Sequence, residues 1–155
     1  MWGEILFEEI NKMENKKTIP SEVAALIPCD QLYVTKRKIR EFQECIKRLE
    51  TALKQCPKIG ATDGLTEHPA VFHYFYGGTD IYICEYESAD GQMFGFSILN
   101  GDLQNSEWGY FSVTDFSKSR YFNIDYHFRE QTIEAALYSS YPDYFKKPQS
   151  LRSTE

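Results

Sequence analysis

The chain has 155 residues, of which 42% are hydrophobic and 15% aromatic, with a formal net charge of −6. That length and apolar content support one domain with a sizeable core and exclude a chain disordered throughout. The acidic balance, with a sequence pI near 5.1, excludes a broad phosphate-binding surface, because non-specific nucleic-acid affinity depends on clustered Lys and Arg.

Trp2, Ile5, Leu6, Ile10 and Met13 recur at helical spacing with Glu4, Glu8 and Glu9 between them. Residues 1–18 therefore read as a helical extension, amphipathic over 2–14. Ile19 to Pro28 reads as a short helix between prolines, with Pro20 preset for a helix start, and Gln31-Leu32-Tyr33 as an extended link. Ile39, Phe42, Cys45, Ile46, Leu49, Ala52, Leu53 and Cys56 mark one face of a long helix, placed at 36–56 and capped by Thr35. Its first turn carries Lys36, Arg37 and Lys38. Cations there oppose the helix dipole, which makes them a candidate contact for an anionic partner.

Residues 69–128 read as a sheet core of about five strands joined by polar turns. Gly77-Gly78-Thr79-Asp80 and Ser88-Ala89-Asp90-Gly91 are hairpin signals, and Asn100 to Ser106 is the candidate functional loop. The last strand is placed at Phe122 to Phe128, preceded by one helical turn at Thr114–Ser117. A closing helix spans Gln131 to Tyr141 before Pro142, and residues 146–155 read as a flexible tail. The expectation is a single α+β domain over 1–145, with one antiparallel sheet flanked by N-terminal helices and a C-terminal helix.

Cys29, Cys45, Cys56 and Cys84 form no C-x-x-C pair, so no structural zinc site and no cofactor are expected. The N-terminus has no basic region followed by an apolar run, and no stretch approaches a membrane span. A reduced, cytoplasmic setting is expected.

Strand parity identifies the side chains that carry chemistry. His73, Glu85, Asp125 and His127 converge into an acid/base or metal-like cluster in one hairpin register and separate in the next, so the alternatives stay open. Trp108 and Tyr110 share a strand face and form either a stacking platform for a ring-bearing ligand, with Glu107 and Tyr82 as companions, or part of the core. Gly109 between them fits a bulge or a close backbone approach. Ser112 has no nucleophile-elbow context.

Several segments together resemble a known family. They are Ile19-Pro20-x-Glu22-Val23 with Ile27-Pro28 and Leu32-Tyr33, then Pro69-Ala70-Val71, Ile83-Cys84-Glu85-Tyr86 and Phe94-Gly95-Phe96. Glu107-Trp108-Gly109-Tyr110-Phe111-Ser112 is the most specific segment, and Asp125-Tyr126-His127-Phe128 closes the match. Over residues 19–128 the chain resembles a family of small domains of unknown function encoded mainly on conjugative plasmids, integrative elements and phages. The resemblance implies a mobile-element setting and transfers no catalytic residue. The 36–56 helix and the N-terminal extension depart from the family's common core.

Three functions follow as expectations. The first is a non-enzymatic accessory protein of a phage or mobile element that binds and modulates a host defence or DNA-processing protein, with Lys36, Arg37 and Lys38 as partner contacts. The second is a binder of a nucleotide-like ligand on the aromatic sheet face. The third is a metal-dependent hydrolase using His73, Glu85, Asp125 and His127. No membrane partner is expected, direct nucleic-acid binding is disfavoured, and a homo-oligomer stays open.

Overall fold

A computed structural model describes residues 18–152. The amphipathic segment 2–14 lies outside the described residues. The order is α1 (Ser21–Ala24), α2 (Cys29–Arg37), α3 (Gln43–Gln55), β1 (Pro69–Ala70), β2 (Phe72–Tyr76), β3 (Thr79–Glu87), β4 (Gln92–Ile98) and β5 (Glu107–Ser112). Then come α4 (Val113–Ser117), β6 (Asn123–Ile124), β7 (Gln131–Thr132), α5 (Ile133–Ser140) and a short 3₁₀ turn at Gln149–Leu151. The fold is α+β, as expected. An antiparallel sheet in the order β5-β4-β3-β2-β6 is accompanied by a two-stranded sheet, β1-β7.

The β2–β3 hairpin turns on Gly77-Gly78, with Gly77 at φ +53, so Tyr76 pairs with Thr79 and His73 with Tyr82. This sets Phe72, Tyr74, Ile81 and Ile83 on one face. That face is buried with Ile46 and Leu49 of α3, Val23, Leu26 and Ile27 from the α1 region, and Phe116 of α4. Tyr82, Cys84, Phe96 and Ile98 occupy the other face under Ile133, Ala136 and Leu137 of α5. Each such fully buried apolar side chain is worth about 1.5–3 kcal/mol. Both faces are therefore covered.

Alternation along β3 breaks at a bulge between Ile83 and Glu85, where it pairs with Gly95 and Phe94. A Cβ on Gly95 would overlap the Tyr82 carbonyl, so the bulge requires glycine opposite it. Past the bulge, Tyr86 joins the α3 face and Glu85 does not.

The single 36–56 helix is two helices, α2 and α3, separated at Lys38 to Phe42. Gln31-Leu32-Tyr33 is helical, not extended, and lies in α2. Thr35 is no N-cap. It is buried inside α2, donates to the Gln31 carbonyl at 2.7 Å, and shares a 2.7 Å hydrogen bond with the Tyr126 hydroxyl. The apolar spacing misled because Ile39 and Phe42, in the break, still pack on the core.

The last strand is also shorter than the sequence suggested. Only Asn123 and Ile124 pair with β2. The Asp125 carboxylate accepts the His127 backbone N–H at 3.0 Å, which turns the chain out of the sheet. Tyr126 then packs with the α3 face and Phe128 against the α5 face. Gln131-Thr132 pairs with β1 rather than opening the closing helix. The stretch 146–152, expected as a tail, is held by a buried Pro148 and by Ser150, whose N–H and hydroxyl donate to Glu67 at 3.1 and 2.6 Å.

Candidate functional site

β5 and β6 are the two edges of the main sheet. β6 is two residues long, whereas β5 runs for six and pairs in unbroken register with β4 alone among the described residues. An edge of that length presents unpaired backbone N–H and C=O groups, which natural proteins usually shorten, charge or cover. Instead, β5 displays aromatics. Tyr110 is 63% exposed and Trp108 is 36% exposed.

Other rings hold Trp108 in place. Phe94 stacks on it with centroids 5.7 Å apart, Phe96 meets it edge-on at 5.3 Å, and the His68 imidazole lies 4.4 Å away. Glu134 of α5 orients His68, taking the backbone N–H at 2.8 Å and bonding Nδ1 at 2.6 Å. Tyr110 leans on Phe94 at 5.0 Å. The result is a shelf of Phe94, Trp108 and Tyr110 beside a strand edge that no other strand pairs among the described residues. Pre-positioned aromatics of this kind lose little side-chain entropy on contact.

Of the expected ligand-binding group, the structure brings Trp108 and Tyr110 together. Glu107 falls on the opposite face by strand alternation, and Tyr82 is buried two strands away, its phenol pushed by burial up to about 12. Gly109 is neither a bulge nor a close approach. It pairs in register with Gly95, and a Cβ there would meet nothing within 4 Å. Ser112 accepts the Thr114 N–H while Asp115 accepts the Ser112 N–H, a capping box that starts α4.

Of His73, Glu85, Asp125 and His127, His73 and Asp125 meet, while the side chains of Glu85 and His127 lie apart from them. The β2–β3 register and the Asp125 turn give His73 two carboxylate partners, Asp80 at 2.7 Å from Nε2 and Asp125 at 3.2 Å from Nδ1. A neutral ring can donate to only one of them, a protonated ring to both. The ring stacks on Tyr82 at 4.6 Å and touches Phe128 at 5.2 Å. A general base needs a nitrogen directed at substrate, and here both are engaged. Asp80, which the sequence marks as part of the hairpin turn, shares a face with His73 in the observed register.

Glu85 is elsewhere, 1% exposed, gripping the loop before β1. Its carboxylate accepts Gly60 N–H at 2.7 Å, Thr62 N–H at 2.9 Å and the Thr62 hydroxyl. Burial pushes this carboxyl up, but the hydrogen bonds from Thr62 and Gly60, helped by nearby His68, hold it below its usual value. The bulge that sends Glu85 to this face has no local sequence signature. His127 is exposed beyond the turn. No group of three or more His, Cys, Asp or Glu among the described residues is placed to hold a metal ion.

Lys36 and Arg37 occupy the last turn of α2 with Lys38 just beyond, so they complement the helix dipole rather than oppose it. Arg37 donates to the Tyr33 hydroxyl at 3.2 Å and stands over its ring. Burial pushes the Cys56 and Cys84 thiols up to about 12, so neither is an activated thiolate. No helix among the described residues is long and apolar enough to cross a membrane. In comparisons with known proteins, no family model, curated protein or solved structure matches this chain.

Proposed function

We propose that this chain is a non-enzymatic protein-binding module that takes an extended segment of a partner protein along the free edge of β5. One observation carries this reading: a six-residue edge strand flanked by the exposed, ring-braced Trp108 and Tyr110. Strand addition gains affinity from main-chain hydrogen bonds and specificity from alternate side chains. Here Trp108 and Tyr110 alternate along one face and supply that second component.

The resemblance to mobile-element domains supports a partner from the host, in the class of defence or DNA-processing proteins, and an accessory role for a phage or mobile element. The net charge of −6 favours approach to a basic partner surface. Affinity capture with the full chain, wild type against a Trp108→Ala/Tyr110→Lys double variant, tests the reading. The expected result is a stoichiometric protein partner held by the wild type and lost by the variant. Capture undiminished by the double substitution would contradict it.

A further inference from the structure

A groove of about 890 Å³ lies away from β5, between α3 and residues 127–131, with the β1–β2 junction as its floor. It exists because of two local events. Asp125 turns the chain out of the sheet after two residues of β6, and β7 then pairs with β1 instead of continuing beside β2. The outward side of α3 is thereby left facing the 127–131 segment across a gap.

The chemistry of the walls departs from that of the whole chain. Lys47 and Arg48 project from α3, with Arg129 and the exposed His127 on the other wall. None of Lys47, Arg48 and Arg129 is in an ion pair among the described residues, where the lysine–carboxylate pair is Lys54–Glu50. The groove is lined by three cations without an ion pair among the described residues and by two carboxylates, Glu44 and Glu130, a slight positive balance in an acidic protein. Between them lie apolar Ala52, Val71 and Phe128, while Glu44 and Glu130 add hydrogen-bond acceptors. The size falls in the range of small-molecule sites, about 300–1,000 Å³.

We infer that this groove binds a nucleotide. The phosphate is met by Arg48, Lys47 and Arg129, the base lies on the Phe128–Val71 floor, and the glutamates accept from sugar hydroxyls. Arginine forks suit phosphate oxygens, and an apolar floor suits a flat ring. Neither a bare anion nor an uncharged ring uses both halves of the site. The inference is independent of the β5 reading, since it involves no residue of that edge.

Isothermal titration of the full chain with AMP and ADP, with inorganic phosphate and adenosine as separate probes, tests it. The companion protein is an Arg48→Glu/Arg129→Glu double variant, whose fold is checked by circular dichroism because both sites are exposed. The expected result is nucleotide binding weakened about tenfold or more by the double variant, with phosphate and adenosine each at least about tenfold weaker than the nucleotides. No heat with either nucleotide, equal binding by the variant, or phosphate alone matching AMP would each overturn it.

Discussion

Glu85 shows how one buried charge can organise a loop. Its carboxylate accepts three hydrogen bonds from Gly60 and Thr62, and buried charged groups are tolerated only when satisfied in this way. Glu85→Gln puts an NH₂ group where the carboxylate accepted N–H donors, and should cost about 1–3 kcal/mol in urea denaturation. The folded pKa is depressed, so this stabilisation is present above the unfolded carboxyl value of about 4.3 and is lost as pH falls through the folded value. Below about pH 4 the gap between wild type and Glu85→Gln should narrow, which denaturation midpoints across pH will show. Gly95 is a second demanding position. Because its Cβ would overlap the Tyr82 carbonyl, Gly95→Ala must flatten the bulge or shift β4, and a loss above about 2 kcal/mol is expected. Gly109→Ala, with open space around its Cβ, should change stability by less than about 0.5 kcal/mol.

At the level of elements, α4 rests on the Ser112–Asp115 capping box, and Ser112→Ala should lower the melting temperature by an amount equivalent to about 1 kcal/mol. Much of the element order was legible because local chemistry agreed with tertiary demands. Gly77-Gly78 between aromatic runs specified its hairpin, and Pro142 marked the end of the closing helix. What escaped was set by partners distant in sequence. Nothing at Lys38–Phe42 resembles a helix stop, yet Thr35 bonds Tyr126, 91 positions away, and the chain turns soon after. The Cys84–Glu85 bulge depends on Gly95, and a one-residue change in register redistributes every side chain. That is why the sequence left the grouping of His73, Glu85, Asp125 and His127 open, and the observed register resolves it into a His73–Asp125–Asp80 strut and a separate Glu85 loop anchor. Trp108 and Tyr110 were found by parity alone, but their exposure depends on the strand order, which sequence did not reveal. If β5 is a free edge, hydrogen exchange will show alternate amides of β5 exchanging faster than those of β3, which is paired on both sides. Uniform protection of the two strands would mean that something covers the edge.

At the scale of the whole molecule, the sheet is sandwiched between α1–α4 on one face and α5 with Phe128 and Phe145 on the other. The β5 edge and the α3 wall of the groove lie outside the buried residues of those two core clusters among the described residues. The two lie toward opposite edges of the sheet, so a partner on β5 and a ligand at α3 need not exclude each other. The proposal for β5 is the addition of a partner strand along its outer edge. Site-specific photo-cross-linking tests it most directly, with a photoreactive phenylalanine analogue at Tyr110 and, as a control of matched exposure, at Tyr33 on α2. Strand addition at β5 should give one discrete adduct with a different protein from position 110 and none from position 33. No adduct at 110, the same adduct from both positions, or only a dimer of the chain itself would contradict it.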